Sequence, residues 1–494
     1  MTPDEFRTTG YALIDWLANY QTQVSKYPVR SQVMPGDIRQ AFPQKPPESS
    51  FKNRTDNPNF AQEMIESLEN KILPGITHWQ SPSFFAYFPA NADPASILGD
   101  LLSSGLGVQG MLWITSPACT ELETLMCDWI AQSIKLPNIF FSTGQGGGVI
   151  QDSASSATLC ALIAAREQIQ QVYPDQPLNR LRIYVSQHTH ASGLKAARIT
   201  GLGASALKVI NTDLDGAMDP IALQDTLEED LKQDFVPCIV IATVGTTATL
   251  AIDPISDIGQ VCKNYRQKYS TPLWLHVDGA MAGAAAVCRE WEWIHEGLEF
   301  AQSYCFNPHK WWGVNFDCDC FYVSDRRALI HSLSVNPDYL TNRSSEEGTV
   351  IDYRDWQIPL GRRFRALKIW FYLQYHGLDG IRQLVRRHIM LTKELAQALE
   401  ADHRIVVYHP QHLNLICFRL NQDGHTINEI NQATAIFLEQ LNQSGQLYMS
   451  HATVNQYFWI RLCVGQLNTM KEHTKAALSC ILTALDSYPL SQSQ

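Results

Sequence analysis

In the first 25 residues, Phe6, Leu13, Ile14, Trp16, Leu17 and Tyr20 recur mostly at helical spacing. The pattern predicts an amphipathic helix. Prolines 28, 35, 43, 46 and 47 follow and predict an irregular, surface-wrapping connection. A second helix is expected over 59–71, stopping at Pro74-Gly75. Two helices joined by such a link make a poor independent core, so this region is expected to pack on something else, such as another subunit.

From about residue 90 to 330 the pattern changes. Short β-rich runs at 181–186, 206–210, 237–244, 273–277, 304–306 and 320–323 alternate with helical stretches at 153–170, 221–234 and 257–269. This alternation predicts an α/β fold, a mainly parallel sheet covered by helices on both faces. Ligands of such sheets bind at the carboxyl ends of the strands. A long helical region from 361 to 402, interrupted near Gly377, leads into a small α/β unit with antiparallel character. Its strands are expected at 404–408, 413–420, 447–453 and 457–464, and its helices at 427–442 and 469–488.

Composition narrows the function classes. The chain has 494 residues, 38 Lys and Arg against 49 Asp and Glu, and a formal charge of −11. That balance argues against a nucleic-acid partner, whose phosphates need clustered cations. No run approaches the ~20 apolar residues of a spanning helix. The start Met1-Thr2-Pro3-Asp4-Glu5-Phe6-Arg7 lacks a basic and an apolar signal region. The 12 cysteines sit mostly in apolar segments. We therefore expect a reduced, cytoplasmic protein without a disulfide framework or a membrane partner.

Four segments carry candidate chemistry. In Asn307-Pro308-His309-Lys310-Trp311, Lys310 follows an apolar strand and adjoins a His and two Trp. A Lys so placed can form a Schiff base with a carbonyl. In His276-Val277-Asp278-Gly279-Ala280, Asp278 ends a buried strand and needs a positive partner, for which a protonated pyridine nitrogen would serve. The segment from Gly144 to Thr158 runs from a Gly-rich turn into a helix whose first turn carries several hydroxyls, a setting that suits phosphate. It matches neither a P-loop nor a dinucleotide fingerprint. After the strand at 181–186, His188 and His190 lie two residues apart. No acid or Cys stands at ligand spacing, so no metal is expected, and a His here can stack on a planar cofactor. Singly, each segment has a plain structural explanation: a surface Lys, a helix-capping Asp, an ordinary helix start, a loop His. Jointly they call for an aldehyde, a ring nitrogen, a phosphate and a flat face, which pyridoxal phosphate supplies.

The chain closely resembles the group II pyridoxal-phosphate-dependent amino acid decarboxylases, in particular the aromatic-L-amino-acid decarboxylase branch. The resemblance runs from the first helix to about residue 470. It is carried by Pro74-Gly75-Ile76-Thr77-His78-Trp79-Gln80, Phe84-Phe85-Ala86-Tyr87-Phe88-Pro89, Ser116-Pro117-Ala118-Cys119-Thr120-Glu121-Leu122-Glu123, His276-Val277-Asp278, Asn307-Pro308-His309-Lys310-Trp311 and Trp356-Gln357-Ile358-Pro359-Leu360-Gly361-Arg362-Arg363-Phe364-Arg365.

The resemblance implies a fold-type I architecture with a seven-stranded sheet. It also implies an N-terminal segment (1–90) that embraces a second subunit, a large cofactor domain (91–375) and a small C-terminal domain (376–494). It implies a homodimer with active sites at the interface. Lys310 matches the Schiff-base lysine. Asp278 matches the carboxylate on the pyridine nitrogen, Ala280 the residue beneath the ring and His190 the stacked histidine. Ala154, Ser155 and Asn307 match phosphate-binding positions, Thr247 a cofactor-contacting threonine and His309 a residue near the substrate. Trp79, Tyr87, Phe88 and Pro89 match the apolar wall for an aromatic side chain. Tyr339, within Asn336-Pro337-Asp338-Tyr339-Leu340, matches the mobile-loop tyrosine associated with protonating Cα after CO2 leaves, which points to amine formation.

Several positions depart from the family pattern. His188 stands where many relatives have Gln, and Gly279-Ala280-Met281 where they often have Ala-Ala-Tyr. Ala90-Asn91 follows the wall's proline where animal enzymes have Thr. Gln109 and Met111 replace the Ile and Phe of the animal-type cross-subunit wall.

The expected activity is decarboxylation of an aromatic L-amino acid: DOPA, tyrosine, tryptophan, 5-hydroxytryptophan or phenylalanine. The alternatives are an aldehyde-forming, oxygen-using relative, a decarboxylase of another amino acid such as histidine, and a silent dimeric binding protein on the same fold.

Overall fold

The computed structural model describes residues 1–53, 59–335, 350–410, 413–422 and 424–488. Within it the chain forms two compact units, one of residues 1–87, 394–406 and 418–494, the other of residues 88–393 and 407–417.

The second unit is built on a seven-stranded sheet. Its strands are β1 (Gly147–Gln151), β2 (Leu181–Ser186), β3 (Leu207–Ile210), β4 (Val236–Thr243), β5 (Trp274–Asp278), β6 (Ser303–Phe306) and β7 (Asp319–Val323). The spatial order is β1-β7-β6-β5-β4-β2-β3. Strands β3, β2, β4, β5 and β6 run parallel, while β7 is antiparallel to both β6 and β1. Apart from the edge strand β3, the strands are almost wholly buried, as expected of a sheet covered on both faces.

The helix Ala154–Val172 packs close on this sheet because its inner face is small: Ala157, Ala161, Ala164 and Ala165 are buried in the same core as Val149, Ile183, Ile239 and Phe321. Ser153 caps it, its side chain accepting the Ser156 N–H. Pro220 opens the helix Pro220–Lys232, where Asp219 caps two backbone N–H groups.

Two of the resemblance motifs meet in a buried ion pair. Arg362 and Glu123 are paired at about 1% exposure each. Glu123 also accepts the Ile150 N–H at 2.7 Å, and Arg362 donates to Gln357 Oε1 at 2.7 Å. This pair ties the helix Pro117–Ser133 to β1 and to the segment after residue 356.

The Gly-rich segment corrects an expectation. It does not pass straight from turn to helix; Gly147–Gln151 forms the edge strand β1. The reason is packing. A Cβ on Gly148 would stand 2.6 Å from the Tyr322 ring and 2.9 Å from Cys127 Cβ, and one on Gly146 would overlap the Ile139 carbonyl. These glycines serve close approach, which resembles turn chemistry in sequence. The helices Pro94–Leu106 and Pro117–Ser133 were also not anticipated. The interruption at Gly377 is present: two helices within Ala366–Glu400 meet there, at φ 59 and ψ 177, a conformation essentially reserved for glycine.

A second sheet has the order β10-β11-β9-β8, where β8 is Ile405–Val407, β9 Leu415–Leu420, β10 Ser450–Val454 and β11 Tyr457–Cys463. In the first unit, the helix Pro3–Gln23 has no buried residue and leaves Phe6, Tyr11, Leu13 and Ile14 exposed. All 12 cysteines are free thiols. Among the described residues, no helix is long and apolar enough to cross a membrane.

Candidate active site

A cavity of about 210 Å³ opens at the carboxyl ends of the parallel strands. It is lined by Thr243 at the end of β4 with Gly245 and Thr247 beyond it, by Asp278 at the end of β5 with Ala280 and Met281 beyond it, and by Asn307, His309 and Lys310 after β6. His190 comes from the loop after β2, Ser153, Ala154 and Ser155 from the helix start after β1, and Phe88 closes one side. Nine of the expected cofactor residues, 154, 155, 190, 247, 278, 280, 307, 309 and 310, thus meet in one place.

Lys310 sits in the one-turn helix Pro308–Trp311. Its N–H donates to the Asn307 carbonyl at 3.0 Å, and its own carbonyl accepts from Asn91 Nδ2 at 3.0 Å. Trp311 Nε1 donates to His388 Nδ1 at 3.0 Å and Trp312 Nε1 to the Ala284 carbonyl at 3.1 Å. Both indoles are buried, so the turn that presents the amine is anchored on two sides. Lys310 Nζ lies 5.6 Å from the centroid of the Phe88 ring, within cation–π reach.

Asp278 is buried, and its Oδ1 accepts the Ala280 N–H at 3.0 Å and the Cys305 S–H at 3.6 Å. His190 Nδ1 accepts the Ser192 N–H at 3.2 Å, which leaves the proton of the neutral ring on Nε2. Although the residue as a whole is exposed, desolvation by the surrounding protein lowers its pKa; Asp278 opposes the shift and Lys310 adds to it. His309 Nδ1 likewise accepts the Cys318 N–H, at 2.8 Å. Burial, aided by the Lys310 charge, pushes its pKa down to about 3, so it is a neutral Nε2–H donor at ordinary pH.

The residues fit pyridoxal phosphate on structural grounds. Asn307 and Thr243 line the cavity, and their buried Oδ1 and Oγ1 have no hydrogen-bond partner among the described residues. Such orphaned groups are costly unless a ligand meets them. The first N–H groups of the helix Ala154–Val172 open on the same cavity, a natural phosphate seat. Gly245, at φ +89, lets the wall pass close: a Cβ there would lie 2.5 Å from Ala282 Cβ.

The expected substrate wall is not assembled in the same way. Phe88 lines the cavity; Pro89 is buried but does not. Trp79 and Tyr87 belong to the first unit, where Trp79 stacks on Phe84 and Tyr87 at 4.4 and 5.7 Å between centroids. Gln109 and Met111 do not line the cavity. Gln109 Oε1 accepts the Arg362 N–H at 2.6 Å, and the Met111 carbonyl accepts the Arg354 N–H at 3.1 Å. Tyr339 lies outside the described residues.

Thr243, Gly245 and Ser153 line the cavity without having been singled out from sequence. The signal for Thr243 was its place at the carboxyl end of a predicted strand. Asn91 was noted only as a departure; its contact with the Lys310 carbonyl gives it a supporting place.

Comparison with known proteins gives the family. The chain is 40% identical to tyrosine decarboxylase 2 of Narcissus pseudonarcissus over 485 residues, covering 97% of this chain and 93% of that one. It is 39% identical to phenylacetaldehyde synthase of Arabidopsis thaliana over 483 residues, covering 97% and 96%. Its fold superposes on Oryza sativa TDC, solved with PLP and tryptamine, with a TM-score of 0.93 at 33% identity, covering 99% of both chains. Residues 43–421 match the pyridoxal-dependent decarboxylase conserved domain, and the chain belongs to that family of pyridoxal-phosphate enzymes.

Proposed function

We propose that this protein decarboxylates an aromatic L-amino acid to the corresponding arylalkylamine and CO2, working as a cytoplasmic homodimer with active sites at the subunit interface. The observation that carries the reading is the convergence of Lys310, Asp278, His190 and the helix start at Ala154 on one cavity beside the Phe88 ring. The relatives named for tyrosine decarboxylation and the structure holding tryptamine support an aromatic substrate class.

Pyridoxal phosphate, when bound, supplies an aldehyde for amine capture and an electron-accepting ring. Lys310 would hold the cofactor through its amine. Asp278 would face the ring nitrogen and favour its protonated form, with Ala280 on the ring's lower side. His190 would stack on the ring's other face. Ala154, Ser155 and Asn307 hold the phosphate, and Thr247 contacts the cofactor. His309, as a neutral Nε2–H donor, faces the substrate. Trp79, Tyr87, Phe88 and Pro89 form the apolar wall, completed across the interface by Gln109 and Met111. Tyr339 delivers the proton to Cα. Residues 1–90 embrace the second subunit, around a cofactor domain of 91–375 and a small domain of 376–494.

A second reading, aldehyde formation with oxygen, has its own support in the 39% identity to a phenylacetaldehyde synthase. The presence of Tyr339 favours the amine. Incubation with pyridoxal phosphate and separate aromatic L-amino acids, with L-histidine as comparator, tests the proposal. We expect amine and CO2 in equal amounts without peroxide. Turnover of histidine alone, or of no amino acid, would overturn it, and aldehyde with peroxide would select the second reading. Tyr339→Phe is expected to shift product from amine toward aldehyde and ammonia; an unchanged product ratio removes Tyr339 from the mechanism.

A further inference from the structure

β5 and β6 carry a chain of buried polar groups that ends on Asp278, and Trp274, His276, Ser303 and Cys305 do not line the cavity. The register pairs His276 with Ser303 and Asp278 with Cys305. Trp274 Nε1 donates to Ser303 Oγ at 2.7 Å. Ser303 Oγ is 2.8 Å from His276 Nδ1. His276 Nε2 is 3.9 Å from Cys305 Sγ, and Cys305 donates its S–H to Asp278 Oδ1 at 3.6 Å. Trp274, His276, Ser303 and Cys305 are each at most 2% exposed, and Asp278 is 6% exposed.

The proton positions follow from the chemistry of the ends. An indole N–H only donates, and an ionised carboxylate only accepts. The thiol proton has one charged acceptor in reach, Asp278 Oδ1. With the thiol proton committed to Asp278, the Cys305 sulfur accepts from His276 Nε2–H, so Nδ1 of the neutral ring accepts the Ser303 proton, while Ser303 Oγ receives from Trp274. Every donor points the same way, toward the carboxylate. Burial keeps the components neutral: His276 is held down to about 4, with Asp278 opposing the shift, and the Cys305 thiol is pushed well above its usual range, chiefly by desolvation. Oδ1 thereby takes two donors, Ala280 N–H and the thiol, in a residue that lines the cavity.

We propose that Cys305 is a positioning residue for Asp278, the last member of a one-way hydrogen-bond relay from Trp274 through Ser303 and His276 that holds the carboxylate in register with the cofactor ring nitrogen. The inference rests on the reading that Asp278 meets that nitrogen, and it deepens it. Neither the family motifs nor the cavity lining points to Cys305.

The test compares holoenzymes of the wild type, Cys305→Ala, Cys305→Ser, Ser303→Ala and the Ser303→Ala/Cys305→Ala pair. The readouts are kcat, KM, affinity for pyridoxal phosphate and the visible spectrum of the bound cofactor. A weak donor to a charged acceptor predicts a fall of about fivefold in kcat and in cofactor affinity for Cys305→Ala, with KM little changed. The spectrum should shift in Cys305→Ala. Cys305→Ser, which keeps a donor, should recover to within about twofold of wild type. The double variant should be no worse than Cys305→Ala, because a relay fails once.

Equal impairment of the Ala and Ser variants would reduce Cys305 to packing, and multiplying single effects would break the relay; either overturns the proposal. If Cys305→Ala does not fold, the infrared S–H stretch decides, assigned by wild-type minus Cys305→Ser difference. A band displaced from ordinary buried thiols supports the bond, and an undisplaced one overturns it. Asp278→Asn run in parallel separates the two claims. If it leaves cofactor affinity and spectrum unchanged, the reading of Asp278 itself fails; if it changes them while Cys305→Ala does not, only the relay fails.

Discussion

The two ends of the active site are built differently. The residues proposed for the cofactor lie within one unit of the chain: Lys310, Asp278, His190, Asn307 and the helix start at Ala154 all line one cavity. Of the expected substrate wall, Phe88 lines that cavity; Pro89, Gln109 and Met111 belong to the same unit yet do not. The contrast teaches how each end is encoded. Cofactor groups sit within a few residues of strand ends, where the parallel sheet brings them together by topology. Wall groups come from segments with no sheet to align them. The N-terminal helix makes the same point, since it leaves apolar side chains exposed and buries none within the single chain.

The largest effect is expected at the cofactor end. Lys310→Ala should abolish turnover and the borohydride-trapped pyridoxyl peptide, both read in one preparation; residual full activity would place the amine elsewhere. Asp278→Asn should lower kcat on the order of a hundredfold, about 2.7 kcal/mol of barrier, with the protein still folded. At the wall, Phe88→Ala should act mainly on KM, raising it about tenfold for an aromatic substrate, the size of one lost ring contact of about 1 kcal/mol plus buried area. An equal fall in kcat would move Phe88 from the wall to the cofactor end.

A smaller effect concerns the support beneath the cofactor end. His295 Nδ1 donates to the Ile134 carbonyl at 2.8 Å and Tyr304 OH lies 3.0 Å from Nε2. Burial lowers its pKa to about 4, with the Ile134 carbonyl opposing. Its folded pKa is thus below the unfolded value of about 6.5. The unfolded chain therefore binds the extra proton as pH falls, and stability is lost from about pH 6.5 downward until the folded group also titrates. His295→Gln removes that component. The variant should be less stable than wild type at pH 8, and the gap should narrow by about 2 kcal/mol at pH 5 in denaturant melts. A gap that stays constant would mean that His295 does not titrate on unfolding.

The same contrast governs what was legible in sequence. The strands from 181 to 323 were readable because fully buried parallel strands appear as short apolar runs, and Asp278 and Lys310 because they interrupt such runs at their ends. The edge strand at Gly147–Gln151 was hidden because Gly148 answers to Tyr322 on the neighbouring strand and to Cys127 on the helix Pro117–Ser133. Thr243 and Cys305 were hidden inside strands, where nothing local separates a cavity-facing hydroxyl or a carboxylate-bound thiol from an ordinary core residue. Asn91 meets the Lys310 carbonyl from 219 residues away, which no local pattern announces.

The central claim is that one chain supplies the cofactor end and a second chain completes the substrate wall. Mixing subunits tests it directly. Lys310→Ala and Met111→Arg are each expected to be inactive as homodimers. In the proposed dimer, the two variants refolded or co-expressed together would give mixed dimers in which one site pairs an intact lysine with an intact wall. The account predicts recovery of decarboxylase activity in the mixed dimer, at up to half of the wild-type value per dimer. No recovery in a verified mixed dimer would contradict it and place the wall and the lysine of each site on the same chain.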